Sequence, residues 1–262
     1  MTTTIAINNQ KGGVAKTTTC LSLGACLAEM GHNVLLIDLD PQANLTVSLG
    51  LKAEELRRTV TDALLGNTSL VGVSHECGVP CLDIVPANQR LAVLDKIFYG
   101  QRNYEFHLKH RLGTMQNGSY DFILIDCPPA FSTLTLNALT VADLLIIPIQ
   151  PEYYAAHSLR QIMGLVKLAR ERTNPRLAYR VLMTMVDRRN KICRVILDQM
   201  RGRLNRVLFN TMIEVDTKLR ESPAFGQPIT LYAPKARGAQ QYRALAQELM
   251  NEELMNDERQ RH

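Results

Sequence analysis

The 262-residue chain has no tryptophan, and only 5% of its residues are aromatic. Proteins that hold single-stranded nucleic acid stack its bases on rings interleaved with cations, and this composition argues against that mode. No stretch approaches the ~18–20 uninterrupted apolar residues that span a bilayer. The start, Met1-Thr2-Thr3-Thr4-Ile5, has neither the basic nor the apolar region of a secretory leader. Cysteine is sparse: Cys20, Cys26, Cys77, Cys81, Cys127 and Cys193 are scattered, as expected of reduced thiols in the cytoplasm rather than a disulfide framework. Cys77-Gly-Val-Pro-Cys81 is the one close pair, and no second pair or histidine cluster completes a zinc site. With no internal repeat and no low-complexity linker, residues 1–262 read as a single domain.

What is present is an alternation of short apolar runs with helical periods. Thr4–Asn8, Val34–Asp38, Asp121–Asp126, Leu144–Pro148 and the segment 178–185 read as strands, and Leu82–Pro86 as a weaker one. Residues 17–30 read as a helix closed by Gly31. The strands are continuously apolar, so helices must cover both of their faces. The expected fold is α/β, a mostly parallel twisted sheet flanked by helices on both faces. Ligands of such sheets sit at the carboxyl ends of the strands. Three polar or Gly/Pro-rich segments fall there: Asn8 to Lys16, Asp38 to Gln42 and Asp126 to Pro129.

Residues 8–19, N-N-Q-K-G-G-V-A-K-T-T-T, join the first strand to the first helix. Gly12 and Gly13 let backbone N–H groups turn inward around an anion, so the stretch Lys11-Gly12-Gly13-Val14-Ala15-Lys16-Thr17-Thr18 is the expected phosphate cradle. Lys16 supplies a point charge, Thr17 a hydroxyl for Mg²⁺, and Asp126 a carboxylate to hold the metal through water. Gln10 and Ala15 stand where the general P-loop pattern G-x-x-x-x-G-K-[ST] has glycines. What survives is Lys-Gly-Gly-x-x-Lys-Thr with the additional lysine, Lys11, in front.

That signature resembles the ParA/MinD class of deviant P-loop ATPases. Asp38-Leu39-Asp40-Pro41-Gln42 and Ile125-Asp126-Cys127-Pro128-Pro129 resemble the second box and the Walker B segment of its ParA/Soj branch. Glu152-Tyr153-Tyr154-Ala155, the segment Thr184–Arg189 and the segment Glu221–Ile229 resemble later boxes of that branch, in the right order over nearly the whole chain. The resemblance implies an ATPase with ATP and Mg²⁺ as cofactors, and a homodimer that forms on ATP. It implies that Lys11 reaches the partner's phosphates across the dimer and acts with Lys16 and Asp40 in catalysis, Asp40 orienting the attacking water. Asp38 is expected near the metal's outer shell beside Thr17 and Asp126, and Met185 to Asp187 is a candidate segment for the adenine. Ala15 is a departure from the pattern; ATP is still expected to bind, with slow hydrolysis.

The net charge of +5 is unevenly placed. Residues 151–243 carry 18 Lys/Arg against 7 Asp/Glu, whereas residues 1–150 carry 10 against 13 and residues 244–262 carry 2 against 5. Between Arg160 and Arg206 there are 13 cations and 3 acids. A helix is expected over 190–206, with Ile192, Val195, Ile196, Met200 and Leu204 on its apolar stripe and Arg194, Arg201, Arg203 and Arg206 outward. Together with Lys235, Arg237 and Arg243 they form a candidate surface, within 160–243, for non-specific double-stranded DNA. The resemblance adds a ParB-like or other adaptor protein and a nucleoid location. The chain lacks the N-terminal helix-turn-helix extension of larger plasmid proteins, so operator binding is not expected. The acidic tail 244–262, with Leu245, Leu249 and Met250 at helical spacing, is expected to dock on the sheet. A MinD-like membrane anchor would be basic opposite its apolar face, so no stable membrane association is expected. A reductase resembling nitrogenase iron protein shares the loop, but would need cysteines placed to bridge a cluster.

Overall fold

The computed structural model describes residues 2–115 and 118–260; the last two residues of the expected tail helix lie outside them. One seven-stranded sheet organises the chain: β1 (Thr3–Ile7), β2 (Val34–Asp38), β3 (His75–Glu76), β4 (Leu82–Val85), β5 (Phe122–Asp126), β6 (Leu144–Ile149) and β7 (Ala178–Met183). Their spatial order is β3-β4-β2-β5-β1-β6-β7. Every neighbouring pair is parallel except β3–β4. The expected strands are all present. The antiparallel edge strand β3 is additional, and at two residues it is too short to carry a periodic signal.

Alternate residues of the same strands feed two separate cores. Ala6, Leu35, Ile37, Ile123, Ile125, Leu145 and Ile147 point into one, and Ile5, Ile7, Leu36, Leu124 and Ile146 into the other. This is why the strands read as unbroken apolar runs. The helices of nine or more residues are α1 (Lys16–Glu29), α2 (Thr133–Val141), α3 (Ala155–Arg172), α4 (Lys191–Leu204) and α5 (Arg237–Gln260). Helices α2, α3 and α4 close the first core, and α1 and α5 the second. Tyr242, Leu245, Ala246 and Leu249 of α5 are fully or almost fully buried, and α5 packs along α1. The two leucines contribute about 1.5–3 kcal/mol each relative to exposure. No helix among the described residues is long and apolar enough to cross a membrane.

One packing expectation is corrected. The buried stripe of α4 is Cys193, Leu197 and Met200, with Ile196 and Leu204 half-buried, whereas Ile192 and Val195 are 62% and 48% exposed. Spacings of four, three and four residues from Cys193 keep one helical phase. Ile192 and Val195 fall off that phase, and their hydrophobicity does not override it. The Asn190 side chain caps α4 by accepting from the backbone N–H of Ile192 at 2.9 Å.

Candidate functional site

The adjacent strands β2, β5 and β1 end together. Asp38 pairs in register with Asp126, and Asp126 with Ile7, so all three polar segments read from the sequence meet at one rim. The loop from Asn8 to Ala15 is fixed from below by two fully buried asparagines. Asn8 Nδ2 donates to the Pro128 carbonyl at 3.1 Å, and Asn9 Nδ2 to the Pro148 carbonyl at 2.7 Å. Asn9 Oδ1 accepts from the Lys11 backbone N–H at 3.0 Å. Gly13 takes φ +72°, which glycine adopts without strain, and added Cβ atoms on Gly12 or Gly13 would meet nothing within 4 Å. The space beside both glycines is open, so the backbone there is free to approach an anion. Ala15 also sits left-handed, at φ +67°, and its carbonyl accepts the first bond of α1 from the Thr19 N–H at 2.9 Å.

Lys16 is buried below this loop, with Nζ donating to the Lys11 carbonyl at 3.2 Å. Burial lowers its pKa, while the carboxylates of Asp126 and Asp40 pull it back up. Thr17 Oγ1 donates to Asp126 Oδ2 at 2.6 Å. The other carboxylate oxygen of Asp126, Oδ1, is buried with no hydrogen-bond partner. Such an orphan is costly unless a ligand satisfies it. Burial, then the neighbouring Asp38, pushes the Asp126 pKa well above the carboxylate range. A hydroxyl, a carboxylate with an unused oxygen and an open anion cradle fit Mg²⁺, a hard cation that keeps waters and shares substrate phosphates. Among the described residues no cluster of three His, Cys, Asp or Glu side chains forms an all-protein metal cage.

The other two aspartates divide their work. Both oxygens of Asp38 are occupied: Oδ1 accepts from the Asp40 N–H at 3.1 Å, and Oδ2 accepts from the Thr46 N–H at 2.9 Å and its hydroxyl at 2.7 Å. Burial raises its pKa to about 6 despite those bonds. Asp38 thus shapes the loop after β2 and places charge beside Asp126. Asp40 is buried in that loop, and its Oδ1 accepts from the Gln42 N–H at 2.9 Å.

Lys11 is folded back onto its own subunit. Its Nζ meets Glu152 Oε2 at 2.5 Å and Gln150 Oε1 at 3.5 Å. Gln150 Nε2 also donates to the Gly13 carbonyl at 3.0 Å and touches the Met185 sulfur. Around Lys11 lies an open groove of about 420 Å³ lined by Gln10, Pro129, Phe131, Tyr154 and His157. Phe131, Tyr153 and Tyr154 are exposed. In the sequence, Asn8, Asn9 and Glu152 stand out only as members of longer segments, without individual roles, and Gln150 belongs to none of them. The added signal for all four is position, shortly after β1 and β6, the two strands whose ends flank the loop.

A second, smaller pocket of about 40 Å³ lies behind the loop, lined by Ala15, Thr18, Met185, Val215, Leu219 and Tyr242, among others. Met185 reaches it with φ +51°. Asp187 does not line it: its carboxylate is taken by Arg189, at 3.0 Å to Nε and 3.1 Å to Nη2. The hydroxyls of Tyr242 and Thr19 lie 3.0 Å apart, tying α5 to α1 beside this pocket.

The basic segment attaches to the β7 edge. Residues after α4 run beside β7 through the Val181–Leu208 and Val186–Glu214 bridges, and Arg180 of β7 lies 3.7 Å from Glu248 of α5. Arg194, Arg201, Arg203, Arg206 and Lys235 are exposed. Among the described residues, Arg194, Arg203 and Arg206 carry no ion pair. The remaining two expected cations are committed within the fold. Arg243 binds Glu29 at 2.7 and 3.0 Å and the Pro234 carbonyl at 2.6 Å, and Arg237 binds Glu214 at 2.9 Å.

This geometry has counterparts. A family model described as an AAA domain matches residues 2–179. The chain is 39% identical over 246 residues to the sporulation initiation inhibitor protein Soj of Bacillus subtilis (strain 168), which spans 94% of this chain and 97% of Soj. It is 38% identical over 258 residues to the chromosome partitioning protein ParA of Myxococcus xanthus, spanning 98% and 91%. A solved structure named cobyrinic acid a,c-diamide synthase from Mycobacterium smegmatis, with a bound ATP analogue and magnesium, matches with TM-score 0.84 and 34% identity over 95% of both chains. With its glycine loop, its Thr17–Asp126 pair and these full-length likenesses, the chain belongs to the ParA/Soj family of partition ATPases.

Proposed function

We propose that this protein is an ATP- and Mg²⁺-dependent switch that dimerises on ATP, holds non-specific double-stranded DNA through its β7 edge, and releases it after hydrolysis. The observation that carries the reading is the orphaned Asp126 Oδ1 beside Thr17 and Lys16 under an open glycine loop. The ATP analogue and magnesium of the 34% identical neighbour support it. When bound, Mg²⁺ neutralises charge on the β- and γ-phosphates. Lys16 does the same from the protein side, Thr17 and Asp126 hold the metal, and the loop N–H groups cradle the phosphates. Asp40 orients the attacking water. The pocket beside Met185 takes the base.

Lys11 and the exposed aromatics around it form the face on which a second copy docks; aromatic residues are enriched at such interfaces. To serve the partner's phosphates, Lys11 must leave Glu152 and Gln150. That requirement supports slow turnover until an adaptor of ParB type assembles on the dimer. The cargo is DNA, plasmid or chromosome, or another large body carried on the nucleoid. A MinD-like reading, with a membrane in place of DNA, is disfavoured by the buried apolar face of α5. DNA binding measured with ATP, ADP and no nucleotide across a salt series tests the proposal. Affinity that rises only with ATP and falls with salt is expected. Binding indifferent to nucleotide, or ATP-dependent sedimentation with liposomes instead of DNA, overturns it.

A further inference from the structure

Glu214 joins the nucleotide pocket to the basic edge. Its backbone bridges Val186, and its N–H donates to Gln241 Oε1 at 2.9 Å, so the residue is fixed between the end of β7 and α5. It lines the small pocket with Ala15, Thr18 and Met185. Its side chain is only 14% exposed, yet it binds two arginines at once: Arg188 Nε at 2.6 Å on Oε1 and Arg237 Nη1 at 2.9 Å on Oε2. Arg237 is further held by the Val215 carbonyl at 2.6 Å. Both arginine side chains remain more than half exposed, at 67% and 56%. One carboxylate on the pocket wall therefore occupies two cations of the most basic part of the chain.

We propose that Glu214 is a positioning residue that withholds Arg188 and Arg237 from DNA phosphates until the nucleotide pocket is filled. The inference rests on the DNA-binding switch proposed above and names its internal link. An arginine bound to a carboxylate cannot also displace a counterion from DNA, and each phosphate contact adds about 0.9 to the salt slope of log K. Release of both arginines therefore steepens that slope by about 1.8.

The test compares wild type with Glu214→Gln, which keeps the side chain's size and removes its charge, on a duplex of arbitrary sequence without nucleotide, with ADP and with ATP. Without nucleotide, the variant is expected to bind more tightly than wild type. Between about 50 and 200 mM salt it should lose about ten-fold more affinity than wild type does, matching the steeper slope. Glu55→Gln removes the same charge from an exposed pair with Lys52 and is expected to change neither quantity. Arg188→Gln with Arg237→Gln should flatten the ATP-state slope by about 1.8 per protomer, or about 3.6 for the dimer. Equal slopes for wild type and Glu214→Gln overturn the inference, as does an equal gain in Glu55→Gln or an unchanged ATP slope in the double arginine variant. Wild type that binds DNA only with ATP, beside an unaltered Glu214→Gln, defeats the inference and leaves the switch standing. Wild type that binds no DNA in any state defeats both.

Discussion

The rim where β1, β2 and β5 end and the edge along β7 are built on opposite principles. At the rim, the polar side chains are buried or half-buried and held by specific bonds: Asp38 by three, Asn9 by two, and Thr17 by one to Asp126. At the edge, Arg194, Arg203 and Arg206 project into solvent. A buried site fixes a few atoms of a small ligand, so a single wrong atom is costly. An exposed cationic edge meets a polyanion whose phosphates are alike, so number and spacing of charge matter more than any single position. Substitutions should therefore act steeply at the rim and gradually at the edge.

The largest effect is expected at Lys16. Lys16→Gln removes the buried cation from the phosphate cradle and should lower ATP turnover by at least about 10²-fold, the scale for deleting one preorganised electrostatic group. Steady-state phosphate release measures it, and a loss of only a few-fold would erase the contrast between rim and edge. Next is the edge itself. Arg203→Glu with Arg206→Glu should flatten the salt slope of DNA binding by about 1.8 or more, while nucleotide binding, read by titration with a fluorescent ATP analogue, stays unchanged. If the pair also abolishes nucleotide binding, the two regions are not separable.

A third substitution sets function against stability inside the rim. In the nucleotide-free protein the Asp126 pKa is raised by burial and by Asp38, so its charged form is penalised by folding. A native pKa above the unfolded one contributes stability at low pH, and that contribution is lost as pH rises through the native value. Asp38, with its pKa pushed to about 6, places one such loss between about pH 4 and pH 6. Asp126→Asn should then raise the melting temperature near pH 7 in the absence of ligand. It should also remove the extra stabilisation that Mg²⁺ and ATP give the wild type. Thermal melts with and without Mg²⁺–ATP decide it; an unliganded variant that melts lower would show that Asp126 serves the fold rather than the ligand.

The same contrast explains which features are legible in the amino-acid sequence alone. Lys16, Thr17 and Asp126 can be placed because a loop after an apolar strand and before a helix constrains which residue types suffice. The sheet is legible for the same reason: burial on both faces leaves only apolar residues at Ile5, Leu36 or Ile125. The phase of α4 is not, because Ile192 and Val195 look as apolar as the residues that are buried, and only the packing partners choose Cys193 and Leu197. The fate of Arg237 and Arg243 is hidden too. Their partners, Glu214 and Glu29, lie 23 and 214 residues away in sequence, and a charge census cannot pair them. Lys11 shows both sides, since its place in the loop is readable but its contact with Glu152 is not.

The smallest expected effect is at Ala15, where rim geometry departs from what its residue prefers. Its φ of +67° places Cβ against the following carbonyl oxygen, a strain of roughly 1–2 kcal/mol for a residue other than glycine. Ala15→Gly removes that strain but gives the unfolded chain more freedom, which costs about 0.5–1 kcal/mol. The net gain therefore lies between zero and about 1.5 kcal/mol, a rise in Tm of at most about 3–6 °C. ATP should still bind, because the backbone N–H groups and Lys16 are unchanged. The informative number is turnover. If the methyl group limits how the loop closes on phosphate, Ala15→Gly hydrolyses ATP faster at unchanged affinity. If turnover is equal while Tm rises, the strain is confined to the fold, and any limit on turnover is to be sought at Lys11 held by Glu152 instead.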